Sequence, residues 1–363
     1  MTHWPRSVKA CLFVSCLLIA GDALAFKLKP HATLSENRVA YLERSRMGEF
    51  LDNIARLIAE HFTSPVHEEI THRIWGCEAN TTDSKACLTP SPYGKYAPPA
   101  VLFGVQWNDN PPFALTATRT DYCPVNTAIR LPNYAKCWVT LYRDASKRAQ
   151  KEHFDRRSNV ALIYRVHFGD MQFLHSMASW DGEKMADTKA RILMWMELAY
   201  KTATGEIAPE LPVSGVPVTG IPTLLGKGYS VQNLLTRGID EERYGTGQVA
   251  LGSFMHVIQD SFAKFHVGRD APTGENCPAY PKVKKAGRVL VFYSYIRQDK
   301  DDHSKFGSRD AFEAHLSQQP NVILVGRALK DLYDARTPWA EVRSVLDQCV
   351  FEVADDDLDK PAP

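Results

Sequence analysis

The chain has 363 residues, 44% of them hydrophobic, and carries 43 Lys and Arg against 42 Asp and Glu, for a net charge of +1. This balance argues against wholesale electrostatic attraction to a polyanion, although it leaves room for a local basic patch. The length allows one large domain or two ordinary ones, and no repeat or low-complexity linker divides the sequence. We expect a single domain over residues 26–353.

Residues 1–25 are typical of a secretory signal peptide. Arg6 and Lys9 precede a short apolar run, and Ala23 and Ala25 form a small-x-small cleavage site. The run is too short to span a bilayer, and no later run of 18 apolar residues follows it. Cleavage would remove two basic side chains and one acidic side chain, which leaves the mature chain neutral. We therefore expect a soluble protein that is secreted or periplasmic.

Six cysteines remain beyond this segment: Cys77, Cys87, Cys123, Cys137, Cys277 and Cys349. An even number in an exported chain predicts disulfides. The first and second, and the third and fourth, are natural local pairs, which leaves the last two for each other; other pairings remain open. None of the six lies in a C-x-x-C arrangement, which argues against a zinc site made of thiolates.

The first histidine candidate, His67, lies in the second of two predicted helices. Apolar residues over 50–62 predict one helix, and Ser64 followed by Pro65 predicts the start of another, in which His67 lies beside the apolar stripe. The sequence then becomes irregular over residues 77–151 and is rich in Pro, Asn, Thr and Tyr.

Two features stand out in this irregular region. Residues 136–142 predict a strand, which would allow a small β hairpin here. Trp107 and Asp109 precede two prolines, which predicts a rigid loop that holds one carboxylate. The alternative for Asp109 is an ordinary turn in which the side chain bonds to its own backbone.

The next segment carries His167, Asp170 and His175. Asp170 and His175 could both reach a site, whereas His167 is better explained as structural or as lying at the mouth. A helix follows, because the apolar residues from Ile192 onward recur at helical spacing. Residues 205–246 are rich in Pro and Gly, and this long connection could form a lip over a site.

A central buried helix is predicted next, because residues 244–259 contain no Asp, Glu, Lys or Arg. His256 and Asp260 are four residues apart, so they lie one turn apart on one face of this helix. His266 follows shortly after. One such pair is more simply a hydrogen-bonded contact in a core, but together with the other histidines it predicts a metal site.

The end of the chain closes the predicted domain. The apolar run 288–296 is compatible with a strand or with a buried helix. Two further helices are predicted over 322–333 and 338–349. Residues 354–363 predict a disordered acidic tail. The predicted fold class is therefore mainly α, a single helical domain with long loops.

The histidines argue for a metal as a set. Neutral imidazole and carboxylate suit zinc, and more than four such ligands predict a cluster in which one carboxylate bridges two ions. His256-x3-Asp260-x5-His266 after an apolar helix resembles the signature of the zinc-dependent phospholipases C and of the related single-strand-specific zinc nucleases of fungi and plants. Those proteins are exported, mostly helical and disulfide-containing, and they hold three zinc ions in one cleft.

The resemblance covers most of the mature chain in order, with a large insertion between Asp109 and His175. Trp107-x-Asp109 and Leu174-His175 are similar to motifs of the nuclease branch. The resemblance implies these zinc ligands: His67, Asp109, His175, His256, Asp260, His266, His303 and Asp310.

The implied ligands divide among two or three zinc ions. Asp109, His175 and His256 would share the first ion with Asp260. Asp260 would bridge to a second ion, which His67 would also bind. His266 and His303, with a carboxylate, would hold the third.

Three positions depart from the family pattern. Lys264 stands where the family often has proline. The family uses its mature N-terminal residue as a ligand, whereas Phe26 lies far from the first histidine ligand in this chain. The position four residues after His303 is Gly where the family has Glu, so Asp310 is the expected substitute and Glu313 the second choice.

These features together predict a secreted zinc-dependent phosphodiester hydrolase. The resemblance implies a phospholipase C that cleaves phosphatidylcholine-like head groups by attack of metal-bound water, with Asp109 as general base and Asp170 as its competitor. The partners expected are a phospholipid substrate and a transiently contacted membrane surface, with no stable protein partner. The neutral mature charge favours lipid. The alternatives are a single-strand-specific nuclease or other phosphoesterase, which would bind nucleic acid, and a secreted zinc-binding protein without catalysis.

Overall fold

The computed structural model describes residues 65–78, 96–117, 122–226, 228–295 and 314–363, together with Thr33, Glu36, Arg38, Cys87 and Phe312. The signal segment and the helix predicted over 50–62 lie outside these residues. So do three predicted site residues, His303, Asp310 and Glu313. The described part is mainly helical with one small antiparallel hairpin, which confirms the predicted fold class at that level.

The helices in chain order are α1 Val66–Ile74, α2 Pro99–Trp107, α3 Ala135–Arg148, α4 Leu162–Phe168, α5 Met185–Thr204, α6 Ile221–Leu225, α7 Val231–Thr236, α8 Thr246–Asp260, α9 Val322–Asp334 and α10 Trp339–Val345. The strands are β1 Val267–Arg269 and β2 Val289–Phe292, which pair antiparallel. Among the described residues, no helix is long and apolar enough to cross a membrane.

The predicted central helix is α8, which is buried along nearly its whole length and packs mainly against α2 and α5. Two glycines allow the closest approach. A Cβ added to Gly252 would overlap the carbonyl of Val101, and one added to Gly104 would overlap that of Val249. The backbones of α2 and α8 therefore touch, which fixes the end of α2 beside the last turns of α8.

Residues 136–142 do not form the predicted strand, because they belong to α3. The buried side chains there include Trp138, Leu141, Tyr142 and Ala145, which share one face of a helix. The rings of Trp138 and Tyr142 stack with their centroids 5.2 Å apart. The observed hairpin lies elsewhere. Its second strand, β2, falls in the apolar run for which the sequence left strand and helix open.

Three disulfides join the six cysteines in the predicted pairing: Cys77 with Cys87, Cys123 with Cys137, and Cys277 with Cys349. The third pair is the most distant in sequence and ties the segment between β1 and β2 to the region after α10. Disulfides of this kind form and persist in oxidising compartments such as the periplasm or the extracellular space.

The acidic C-terminal segment 354–363 is packed, whereas the sequence predicted a disordered tail. The Met185 N–H donates to the Lys360 carbonyl at 3.0 Å, and the Ala362 N–H donates to the Glu183 carbonyl at 2.8 Å. Ala362 itself is buried. The acidic composition suggested solvation, but it is the backbone of the segment that pairs with the residues leading into α5.

Candidate metal centre

Six predicted ligands meet in one place beside the last turn of α8. They are His67, Asp109, His175, His256, Asp260 and His266, and each is at most 2% exposed. They come from α1, the turn after α2, a short 3-10 turn, α8 and the turn after α8. We call these six residues, together with His167 from α4, the His–Asp cluster.

Asp260 lies at the centre of the His–Asp cluster. Its Oδ2 is 2.9 Å from His175 Nδ1 and 2.9 Å from His256 Nε2, while its Oδ1 is 3.5 Å from His67 Nε2. His266 Nδ1 is 3.5 Å from Oδ2 and donates to the His175 carbonyl at 2.7 Å. The two oxygens of one carboxylate therefore face imidazoles from several segments, as a carboxylate that bridges two ions must do.

Two buried groups could each hold a metal ion: His67 with His256 and Asp260, and Asp109 with His167 and His175. Tetrahedral zinc with ligands at about 2.0–2.1 Å separates them from one another by about 3.3 Å. His256 Nε2 lies 3.3 Å from His175 Nδ1 and 3.7 Å from Asp109 Oδ2. These separations are close to those that zinc requires.

These two groups divide the cluster differently from the family pattern, which assigns Asp109, His175, His256 and Asp260 to one ion. The contacts of His256 nevertheless unite those four residues, because its Nε2 lies within 3.7 Å of an atom of each of the other three. His175 has two ring nitrogens, so it can belong to either grouping.

Buried polar atoms without a hydrogen-bond partner indicate whether the residues of this cluster suit a metal ion. The buried atoms of the His–Asp cluster that have no hydrogen-bond partner among the described residues include Asp109 Oδ2, Asp260 Oδ1, His167 Nδ1 and His175 Nε2. Each such atom costs about 1–3 kcal/mol when it stays unsatisfied. Carboxylate oxygens and neutral imidazole nitrogens are metal ligands, so the residues present fit bound cations.

Besides His266, two further imidazoles are fixed by main-chain carbonyls. His256 Nδ1 lies 2.6 Å from the Val105 carbonyl, and His167 Nε2 lies 2.8 Å from the Asp109 carbonyl. Because a carbonyl only accepts, each of these nitrogens carries the proton. In a neutral ring the other nitrogen then has a free lone pair, which is how metal-binding histidines are usually held.

A glutamine fixes a fourth imidazole. His67 Nδ1 lies 2.6 Å from Gln259 Oε1, and Gln259 Nε2 donates to Thr71 Oγ1 at 2.8 Å. Thr71 Oγ1 in turn donates to the His67 carbonyl at 2.7 Å. This closed set of bonds turns His67 Nε2 toward Asp260. Sequence reasoning missed Gln259, although a polar residue on a buried, charge-free helix was a usable signal.

Asn108 fixes the turn that carries Asp109. Its Nδ2 donates to the Leu174 carbonyl at 2.8 Å, and its Oδ1 accepts from Ser253 Oγ at 2.6 Å. It thus joins the end of α2 both to α8 and to the residue before His175. The sequence placed this residue inside the Trp-x-Asp motif but gave it no role.

Glu68 is an acidic residue near the cluster that sequence reasoning also missed. It is 2% exposed, and its Oε1 accepts from Gln106 Nε2 at 2.9 Å. Its charge is one of those that raise the pKa of Asp109. The available signal was its position, next to His67 in a helix with almost no exposed residues.

Burial dominates the titration of the cluster. It raises the pKa of Asp109 to about 8, and lowers the pKa of His67 to about 3 and that of His175 to about 4. Burial would also lower the pKa of His256, but the carboxylates of Asp260 and Asp109 outweigh it and raise this pKa to about 9. Burial would raise the pKa of Asp260, but His256 and other imidazoles hold it well below its usual range. At neutral pH, the adjacent side chains of Asp109 and His256 therefore hold at least one proton that a metal must displace.

The two remaining candidates, Asp170 and His167, lie in different places relative to the His–Asp cluster. Asp170 accepts two hydrogen bonds from Arg165, each 2.8 Å long, and takes no part in the His–Asp cluster. It therefore does not compete with Asp109. His167 was expected to be structural or at the mouth, but its ring stacks on His175 with centroids 5.4 Å apart.

Comparisons with protein-family models, curated proteins and solved structures found no match. The resemblance of the motifs to the zinc phospholipases C therefore remains a prediction from the sequence.

Proposed function

We propose that the His–Asp cluster binds two or three zinc ions and that the protein is a phospholipase C acting on phosphatidylcholine-like lipids. The position of Asp260 carries this proposal, because its two oxygens face His67 on one side and His175 and His256 on the other. A structural zinc site needs only four ligands. The larger set here favours a catalytic cluster with a bridging carboxylate.

The residues have distinct roles in the proposed hydrolysis. Bound zinc would acidify water toward a pKa of about 7 and neutralise charge on the phosphate. Asp109 would take the proton of the attacking water, at the Oδ2 that has no hydrogen-bond partner among the described residues. Val105 and Gln259 would keep His256 and His67 in position.

Phospholipid is proposed over nucleic acid because the predicted mature chain is neutral, whereas nucleic-acid binding draws on positive charge. Contact with a membrane surface would be transient. The three disulfides support a secreted or periplasmic location for the reaction.

The test is to purify the chain from Phe26 onward, count its bound zinc, and measure hydrolysis of phosphatidylcholine and of single-stranded DNA. His256→Ala removes a ligand, and His153→Ala is the matched control, because His153 is exposed and lies outside the cluster. We expect at least two zinc ions and chelator-sensitive lipid hydrolysis, lost in His256→Ala and kept in the control. Activity on DNA alone would instead identify a nuclease. Zinc without hydrolysis of either substrate would identify a non-catalytic zinc-binding protein.

A further inference from the structure

A second concave site lies between α4, α7 and the loop that follows Asp109, with a volume of about 180 Å³. Residues 112–114 and 160–162 form an apolar wall. Its polar lining includes Arg165, Tyr229 and Arg237. The predicted lip, residues 205–246, contributes Tyr229 and Arg237 to this site. We call it the arginine pocket.

The arginine pocket is separate from the His–Asp cluster. Arg165 lines the pocket, whereas His167, two residues later on α4, belongs to the cluster. Two positions along an α-helix correspond to a rotation of about 200°, so these side chains leave α4 on opposite sides. The helix therefore stands between the two sites, and a ligand in the pocket would not be a ligand of the metals.

The charge in the arginine pocket is uncompensated. Arg165 is buried, and its guanidinium is held by Asp170 and by the Leu224 carbonyl, so this pair adds no net charge. Arg237 is partly buried and makes no hydrogen bond or ion pair with any other residue that the structure describes. A guanidinium has five N–H donors, and these bind anions best where water is partly excluded.

We propose that the arginine pocket binds a small organic anion, with its phosphate, sulfonate or carboxylate group on Arg237 and a compact apolar body against residues 112–114 and 160–162. The volume of about 180 Å³ is well below the roughly 300–1,000 Å³ of pockets that enclose drug-sized ligands. The ligand is therefore small, and both its charge and its apolar part contribute to binding.

The direct test is calorimetric titration of the metal-loaded protein with benzenesulfonate, a tetrahedral anion on an apolar ring and a weak metal ligand. Arg237→Met keeps the apolar volume and removes the charge. Arg243→Met is the matched control, because Arg243 is 57% exposed and lies outside the pocket. We expect Arg237→Met to weaken binding by about tenfold or more, since charge-assisted hydrogen bonds are lost, and Arg243→Met to leave binding unchanged.

Three results would overturn the proposal: no binding to the wild type, equal affinity in Arg237→Met, or equal affinity for benzyl alcohol, which lacks the charge. Val160→Phe gives a second variant, because Val160 is only partly buried and a larger side chain there would fill the cavity. Binding that survives in Val160→Phe would also contradict the proposal. Unchanged melting temperatures show that the variants are folded.

A competition experiment separates the two sources of a phosphate ligand. Phenyl phosphate represents a soluble monoester, and phosphatidylcholine vesicles containing phosphatidate represent a lipid head group. Displacement of benzenesulfonate by phenyl phosphate supports a soluble ligand, and displacement by the vesicles alone supports a head group. Displacement by neither rules out phosphate as the anion. The competition is measured in the His256→Ala variant, which we expect not to hydrolyse the vesicles, so its outcome is independent of the proposed phospholipase activity.

Discussion

The His–Asp cluster and the arginine pocket lie on opposite sides of α4 and suit ligands of opposite charge. The cluster gathers carboxylates and imidazoles that are almost completely buried, and several of their polar atoms have no hydrogen-bond partner among the described residues, so it fits cations. The pocket is more open, and its Arg237 makes no hydrogen bond or ion pair within the part of the chain that the structure describes, so it fits an anion. In both places an unsatisfied polar or charged group indicates a ligand of opposite charge, and the burial of the group determines how costly it is to leave that group without its ligand.

The largest effect is expected at the centre of the His–Asp cluster. Asp260→Asn keeps the size of the side chain but removes the charge that joins the imidazoles, so we expect the loss of at least one zinc ion and a fall in hydrolysis on the order of 10³-fold. Metal analysis and steady-state kinetics check this. Full zinc content in Asp260→Asn would show that Asp260 does not bridge.

The pH dependence of zinc binding should be nearly as large. Burial raises the pKa of Asp109 to about 8, and the neighbouring carboxylates raise that of His256 to about 9, so this adjacent pair holds at least one proton at pH 7 in the metal-free protein. Zinc must displace that proton, so acidification below pH 7 should weaken binding by at least about tenfold per pH unit. Calorimetry in buffers of different ionisation enthalpy should find at least one proton released. Release of no protons would contradict the assigned protonation states.

A smaller effect is expected where a neighbour orients a ligand. Gln259→Leu removes the bond to His67 Nδ1, and we expect zinc affinity to fall by about 10–100-fold at one ion while the others stay unchanged. Gln248→Leu is the matched control, because Gln248 is exposed on the same helix. Gln259→Glu, which keeps the acceptor, should recover much of the affinity. Equal losses of zinc affinity in Gln259→Leu and Gln248→Leu would show that Gln259 does not position His67.

The smallest effect on metal binding is expected at Asp170, which pairs with Arg165 of the arginine pocket. Asp170→Asn breaks the paired hydrogen bonds from Arg165, which should lower the free energy of unfolding by about 1–3 kcal/mol. Zinc content should not change, since Asp170 lies outside the His–Asp cluster. Denaturant unfolding and metal analysis on the same sample check both statements. Loss of zinc in this variant would mean that the two regions are not independent.

The sequence correctly predicted the features whose residues recur at helical spacing. His256 and Asp260 lie one turn apart on a helix without charged residues, and this local pattern identified both the central helix and the core of the site. Asp109 and His175 followed from short motifs. The sequence marked Gln259 only as a polar residue on a buried helix, and it could not give the roles of Gln259 and Asn108, because these roles depend on partners that are distant in the chain and that only the packing of α8 against α2 and α1 brings close.

Two errors have a common cause. Residues 136–142 were predicted as a strand from composition, but their apolar side chains follow the period of a helix. Residues 354–363 were predicted to be disordered from their charge, but it is their backbone that forms the hydrogen bonds to the start of α5. In both segments, composition was less informative than the geometry of the backbone.

The most direct test of the central claim is anomalous scattering at the zinc edge from crystals of the metal-loaded protein. If Asp260 bridges two ions, two zinc peaks should lie on either side of its carboxylate, one next to His67 and the other next to His175 and His256. A single peak that does not contact Asp260, or no peak within the His–Asp cluster, would contradict the claim.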